Sequence, residues 1–140
     1  MHGPILALLT SLFFLRVLGQ ALVAFLGVAW LPTMDQWSSG LIPYSLLLAI
    51  QIVMLVFMVK IAADVCCETG FFAKRRSSGS RFLIGFSAIY AGAMMLRYVF
   101  TMIFRPEMRW LGGALPIFFH FVLAGFIFAL GRYHAPVDRR

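Results

Sequence analysis

Two arginines lie inside long apolar stretches of the sequence, where charged residues are rare. Arg16 falls near the middle of the stretch 4–31, and Arg97 falls in the second half of the stretch 82–104. Inserting a central arginine into a bilayer costs about 2.5–3.5 kcal/mol, so such residues are usually functional. No Asp or Glu lies deep in any apolar stretch. The groups that could compensate these charges are backbone carbonyls, water, a lipid phosphate, an anionic or carbonyl-bearing ligand, or another subunit.

The helical face that carries Arg16 has features of an inward-facing surface. At about 100° per residue, Gln20 shares this face, and so do Gly19 and Gly27. Glycines let a neighbouring helix approach closely, and a buried amide needs a hydrogen-bonding partner. We therefore expect Arg16 to face the protein interior, with close packing near the two glycines.

Counting residues from the midpoint of each apolar stretch brings polar side chains from four helices to similar depths. Five of them share a layer about 10 Å thick near the bilayer centre, with Tyr90 just beneath it. We predict a polar pocket in which the arginines supply positive charge and the amide and imidazole groups form hydrogen bonds. The alternative is a set of interhelical hydrogen bonds that only lock the bundle, each worth about 0.6–2 kcal/mol. The candidate ligand-binding or channel-lining residues are Arg16, Gln20, Gln51, Tyr90, Arg97 and His120.

Histidine spacing raises the question of a haem or quinone cofactor. His120 and His134 are fourteen residues apart on one helical face, which is similar to the separation of two haem levels in a membrane cytochrome. Bis-histidine ligation needs a second histidine at the same depth, and only His2 remains to meet His134. Haem or quinone redox chemistry is therefore kept as a third interpretation.

The remaining reactive residues do not form a recognisable catalytic or metal site. Cys66 and Cys67 are adjacent, and we expect free thiols in a reducing cytosol, with soft-metal binding or acylation as alternatives. The sequence has no H-E-x-x-H motif, Ser-His-Asp arrangement, glycine-rich phosphate loop or intramembrane carboxylate pair. We therefore predict a non-enzymatic protein without catalytic residues or a metal site.

The elements that must position these residues are membrane-spanning helices. The chain has 140 residues, of which 62% are hydrophobic and 12% charged, whereas soluble domains are about 45–50% apolar and 25% charged. Four stretches are long enough to span a bilayer, at about 4–31, 43–65, 82–104 and 113–131. None alternates like a barrel strand. We predict an all-α, four-helix transmembrane bundle that forms one integral membrane domain over 1–140.

Charge distribution predicts the orientation of this bundle. The net charge is +7, and the loop between stretches one and two holds Asp35 but no Lys or Arg. Basic residues concentrate on the cytoplasmic side of membrane proteins. We therefore expect both termini in the cytoplasm, most simply at a bacterial inner membrane, with the basic excess serving topology rather than nucleic-acid binding. The basic residues assigned to the inner side include Lys74, Arg75, Arg76, Arg132, Arg139 and Arg140.

The loop between stretches two and three combines aromatic and basic residues. Such a segment suits the headgroup level of anionic lipid, although a simple topology anchor is the alternative. The predicted lipid-interface residues are Phe71, Phe72, Lys74, Arg75 and Arg76.

A short motif precedes both even-numbered stretches. The residues 37–43 and 110–116 each read W-x-x-G-x-[IL]-P. Because transporters often contain such repeats, this echo suggests a parallel two-plus-two repeat. Convergence is the alternative, since Trp, Gly and Pro are each common at membrane interfaces.

Taken together, these features favour an accessory or structural subunit of a larger membrane complex. Its polar pocket would meet a partner helix, a lipid or a quinone-like ligand. The alternative is a small oligomeric channel or carrier for an anion or amphiphile. The expected partners are the lipid bilayer and either other membrane subunits or further copies of this chain.

Overall fold

A computed structural model describes residues 2–31, 42–105 and 114–136 and contains four helices. These are α1 (His2–Leu26), α2 (Tyr44–Cys67), α3 (Ser77–Phe104) and α4 (Ala114–His134). All four are long and apolar enough to cross a membrane, and the described residues contain no strand. The predicted all-α architecture, with four helices long and apolar enough to span a membrane, is therefore confirmed for the described residues. The proposed repeat stays a prediction, because most of the two Trp-containing motifs lie outside the described residues.

Two helix ends differ clearly from those predicted. Helix α1 ends at Leu26 rather than near Leu31, because Gly27 adopts a left-handed backbone (φ 59°) that terminates the helix. No described atom lies within 4 Å of a Cβ added at Gly27, so the close packing expected there is not found. Helix α3 begins at Ser77, five residues before the predicted start. Its 28 residues measure about 42 Å, which exceeds the roughly 30 Å hydrocarbon core.

The helices pack in the order α2–α1–α4–α3. Helix α1 contacts α2 and α4, and α3 contacts α4; the described parts of α2 and α3 make no comparable backbone contact. The core lies between α1, α2 and α4, and Leu6 and Phe13 of α1 are almost completely buried in it. Helix α3 is peripheral, and its apolar residues are largely exposed, as expected for a lipid-facing helix.

At one end of the bundle, the start of α1, the end of α2, the start of α3 and the end of α4 lie at the same level. A Cβ at Gly3 would lie 3.0 Å from the Sγ of Cys66, so the start of α1 abuts the end of α2. The rings of His2 and Tyr133 are 6.0 Å apart, and the Ser80 hydroxyl donates to the Gly131 carbonyl oxygen at 2.9 Å. We call this the basic end, because it holds the basic α2–α3 loop. Depths along the helices can be counted from it.

Candidate ligand-binding site

Three of the predicted site residues lie at one depth on three different helices. Arg16 is fourteen residues from His2, Tyr90 is thirteen from Ser77, and His120 is fourteen from His134. At 1.5 Å per residue, each lies about 20 Å from the basic end. We refer to these three residues as the Arg16 cluster.

Arg16 is inside the protein, with only 8% of its surface exposed. Phe13, Val17 and Gln20 are buried on the same side of α1, so this face packs inward as the sequence suggested. The guanidinium lies 5.3 Å from the centre of the Phe119 ring on α4, which is a cation–π distance. Tyr90 of α3 and His120 of α4 lie within range of its charge.

Tyr90 and His120 are joined by a hydrogen bond between the phenol oxygen and the imidazole Nδ1. Their rings meet edge to face, with centroids 5.7 Å apart and an interplanar angle of 79°. A neutral imidazole has one N–H, and a phenol has one O–H. Only one of these two hydrogens is used in the bond, so the pair retains one donor whichever tautomer is present.

Gln20 and Gln51 form a second polar contact, which we call the amide pair. The Nε2 of Gln51 donates to the Oε1 of Gln20 at 3.1 Å, across the interface of α1 and α2. Both residues are almost fully buried, at 0% and 2% exposure. The Nε2 of Gln20 and the Oε1 of Gln51 have no hydrogen-bond partner among the described residues. The amide pair thus fixes α2 against α1 while leaving one donor and one acceptor buried.

Arg97 lies farther from the basic end than the Arg16 cluster. It is twenty residues from Ser77, or about 30 Å along α3, and it is half-buried. Its charge still acts on Tyr90 and His120. The six predicted residues therefore divide into the Arg16 cluster with Arg97 beyond it and the separate amide pair on α1 and α2.

An apolar groove of about 380 Å³ lies next to the Arg16 cluster. Helices α2, α3 and α4 line it, and Tyr90 belongs both to its wall and to the Arg16 cluster. On α2, Met54 and Met58 are thirteen and nine residues from Cys67, or about 20 and 14 Å from the basic end. The groove therefore occupies the half of the bundle between the Arg16 cluster and the basic end. Its lining includes Met54, Met58, Phe86, Tyr90, Phe126 and Ile127.

The sequence did not identify this groove. Apart from Tyr90, its lining consists of ordinary apolar residues, and nothing in their spacing distinguishes them from residues that face lipid. One signal was available, since Phe82, Phe86 and Tyr90 recur every four residues and stack along α3. That row leads from the basic end to His120.

The predicted lipid-interface loop combines exposed and docked residues. Phe71 is 59% exposed, whereas Phe72 packs partly against the core. The Arg76 guanidinium lies 4.1 Å from the centre of the Phe71 ring, and that of Arg75 lies 5.1 Å from the centre of the Tyr133 ring. Lys74 is exposed. The guanidinium groups of this loop therefore pack against aromatic rings.

Hydrogen bonds attach this loop to the ends of α2 and α4. Asp64 accepts from Lys60 Nζ at 2.5 Å and from the backbone N–H of Phe72 at 3.3 Å. The Tyr133 hydroxyl donates to the Ala73 carbonyl oxygen at 2.7 Å. The Arg76 N–H donates to the Nδ1 of His134 at 3.2 Å. The Lys60–Asp64 pair has the i,i+4 spacing of a helical ion pair, whereas the contacts from α4 cross the fold and have no local signal in the sequence.

The two cysteines and the remaining histidines lie at the basic end. Cys66 and Cys67 are exposed free thiols. His2 and His134 both contact the Tyr133 ring from opposite ends of the described chain. Among residues 2–31, 42–105 and 114–136, no three His, Cys, Asp or Glu side chains form a group suited to a metal ion.

Comparison with known proteins yields no relative. No protein-family model matches the chain, and no significant match occurs among curated proteins or solved structures.

Proposed function

We propose that this chain is a non-enzymatic integral membrane protein that serves as an accessory subunit of a larger membrane complex and holds an amphiphile at the Arg16 cluster. The observation that carries the proposal is the dual position of Tyr90. This residue lines the apolar groove and is also hydrogen-bonded to His120 beside the Arg16 charge. An apolar groove with a few convergent polar groups at one end is the usual form of a small-molecule site.

The position of Arg16 supports a binding role for this site. A buried arginine near the centre of a span is costly to insert, and such residues commonly mark ligand or ion sites. Here the guanidinium lies among three helices and against an aromatic ring, rather than at a helix end where it could reach the headgroups.

The exposed face of α3 supports the accessory role. Helix α3 packs against α4 alone among the described helices, and Ile89 and Phe104 are 75% and 74% exposed. Arg97 lies on this helix and is only half-buried. A partner helix packed on α3 would cover both the apolar face and Arg97.

Purification from native membranes in a mild detergent tests the accessory role. We expect stoichiometric partner proteins to copurify, and we expect Arg97→Gln to weaken their retention. Arg81→Gln is a suitable control because it removes an exposed charge from the same helix near the basic end. If the unmodified protein and the Arg97→Gln variant were both isolated without partner proteins, the accessory role would be contradicted.

A small carrier for an amphiphile is the second candidate. The groove supports this candidate because α2, α3 and α4 line it, and α2 and α3 make no close backbone contact that would shut it off from the surrounding bilayer. Its apolar lining favours an amphiphile over a free anion. Reconstituted liposomes should show amphiphile transfer that falls in Arg16→Ala and Arg97→Ala; transfer unaffected by both substitutions would exclude the carrier.

The orientation and location are also proposed. The loop 68–76 is rich in basic residues, and both described ends of the chain lie beside it. The positive-inside rule supports placing this basic end in the cytoplasm, and a bacterial inner membrane is the simplest host.

A further inference from the structure

We propose that His134 at the end of α4 is a pH-sensitive latch, which holds the loop segment 74–76 while its imidazole is neutral and releases it when the ring is protonated. The segment consists of three basic residues and leads directly into α3. The latch lies at the basic end, fourteen residues or about 20 Å from His120 of the Arg16 cluster. It is therefore independent of the proposed ligand site.

The latch is the hydrogen bond in which the Arg76 backbone N–H donates to the Nδ1 of His134 at 3.2 Å. An imidazole nitrogen accepts a hydrogen bond only while it carries no hydrogen, so this bond requires a neutral ring with its hydrogen on Nε2. Protonation places a hydrogen on both ring nitrogens. The Nδ1–H would then face the Arg76 N–H, which would lose its acceptor.

The surroundings of His134 add a repulsive force to the loss of this bond. Only 8% of the residue is exposed, and the guanidinium groups of Arg75 and Arg76 lie within range of its charge. A protonated ring would therefore repel the segment that the neutral ring holds. The carbonyl groups at the end of α4 favour a positive charge there, but they give the Arg76 N–H no acceptor.

Each element at the basic end carries charged or titratable groups near this level. They are His2 on α1, Asp64 on α2, Arg75 and Arg76 in the loop, Arg81 on α3, and Arg132 and Tyr133 on α4. Among these groups and His134, only the two histidines ordinarily change charge between about pH 8 and pH 5. Either histidine could therefore respond to acid in this range, but only His134 is bonded to the segment.

Two neighbouring bonds should persist when the latch opens. A carboxylate ordinarily stays ionised and a phenol neutral between about pH 8 and pH 5. Asp64 should thus keep its bond from the Phe72 N–H, and Tyr133 should keep its bond to the Ala73 carbonyl oxygen. Acidification therefore frees the three cations of segment 74–76 from α4 while the rest of the loop stays attached.

NMR of the full-length protein in lipid nanodiscs between about pH 8 and pH 5 tests the latch. The ¹⁵N chemical shifts of the His134 ring report protonation of Nδ1. Hydrogen exchange, expressed as protection relative to an unstructured chain at the same pH, reports the Arg76 amide. We expect protection at Arg76 to fall about tenfold as Nδ1 gains its proton. Protection at Phe72, whose acceptor is Asp64, should stay constant.

Three variants assign the response to His134. His134→Asn places an amide oxygen near the position of Nδ1 and does not titrate, so Arg76 should stay protected at every pH. His134→Phe keeps a ring without an acceptor, so protection should be low at every pH. His2→Asn removes the histidine that contacts the same Tyr133 ring, and the pH response of Arg76 should remain.

Several outcomes would overturn the latch. One is protection at Arg76 that stays unchanged while the ring shifts show a protonated Nδ1, and another is a ring that stays neutral down to about pH 5. A response that survives His134→Asn, or that disappears in His2→Asn, would belong to a different group. If His134→Asn does not fold, the ring shifts and the Arg76 protection of the unmodified protein still decide the question.

Discussion

Tyr90 of α3 and His120 of α4 are hydrogen-bonded at the depth where Arg16 of α1 enters the protein interior. Helix α3 packs against α4 alone among the described helices, and this bond joins the two about 20 Å from the basic end. Interhelical hydrogen bonds in membranes contribute about 0.6–2 kcal/mol. The bond therefore helps to hold α3 against α4 at this depth.

The amide pair should show strong coupling between its two residues. Replacing only Gln20 or only Gln51 with leucine leaves the other amide buried without its partner, so each single change should cost about 1–3 kcal/mol. Replacing both removes the unsatisfied groups together, and the double variant should lose clearly less than the sum of the two. Unfolding free energies measured in detergent or bicelles provide the cycle.

Thr10→Ala is the control for this cycle. Its hydroxyl bonds within α1 to the Leu6 carbonyl oxygen, and it should be additive with either glutamine substitution. Strict additivity of the Gln20 and Gln51 substitutions would show that the amide pair does not stabilise the α1–α2 interface.

The contact of α3 with α4 should depend on the absence of a side chain at Gly131. A Cβ there would lie 2.9 Å from Ile84 Cγ1 and 3.2 Å from the Ile84 backbone nitrogen, and the backbone cannot move aside cheaply. Gly131→Ala should therefore destabilise the protein by about 1–3 kcal/mol. It should also weaken the Ser80 bond to the Gly131 carbonyl oxygen.

Gly125→Ala provides the comparison within the same helix. Its Cβ would make only ordinary contact, 3.8 Å from a Leu9 methyl group. Alanine is also a better helix former, by up to about 1 kcal/mol. We expect Gly125→Ala to be neutral or stabilising in the same unfolding measurement. Equal stability of the two variants would mean that α3 is not tightly packed at Gly131.

Helix identity and residue depth could be predicted from the sequence because both depend on local properties. Apolar length identified the four helices, and counting residues brought His120 and Arg16 to similar depths before any packing was known. The inward direction of Arg16 followed from its neighbour Gln20. These arguments need only the geometry of single helices and the cost of polar groups in lipid.

The neighbours of each helix could not be predicted in the same way. In a bilayer, an apolar face is equally compatible with lipid and with another helix, so hydropathy does not determine which helices touch. The order α2–α1–α4–α3 depends on particular contacts, such as the fit of Gly131 against Ile84. The groove between α2 and α3 is a consequence of that order, and for this reason its lining was missed.

The native cysteines provide a direct test of the proposed orientation. Cys66 and Cys67 are exposed at the basic end, beside the start of α1. A membrane-impermeant maleimide should label them in inverted membrane vesicles and not in intact cells or spheroplasts. A variant with Cys66→Ser, Cys67→Ser and Trp30→Cys should show the opposite pattern, because residue 30 is 81% exposed beyond the far end of α1. The reverse labelling of both proteins would show that the basic end faces outward.

Attachment of the basic loop should depend on Gly70 and Asp64 together. Gly70 has a left-handed backbone (φ 91°), and a Cβ there would lie 2.6 Å from the Asp64 carboxyl carbon. Gly70→Ala should therefore displace the carboxylate and break its bond to the Phe72 N–H, with a local cost of about 1–3 kcal/mol. Hydrogen exchange at the Phe72 amide should accelerate at least about tenfold, which corresponds to 1.4 kcal/mol.

Two comparisons separate the steric clash in this loop from a general effect of adding a methyl group. Gly79→Ala introduces the same methyl group at a helical position with no described atom within 4 Å, and exchange at Phe72 should remain unchanged. In an Asp64→Ala background the Phe72 amide has already lost its acceptor, so adding Gly70→Ala should accelerate its exchange little further.

If Gly70→Ala leaves exchange at Phe72 as slow as in the unmodified protein, Asp64 does not hold the loop. The attachment would then depend on Tyr133 and His134 of α4, whose bonds to Ala73 and Arg76 are independent of the carboxylate.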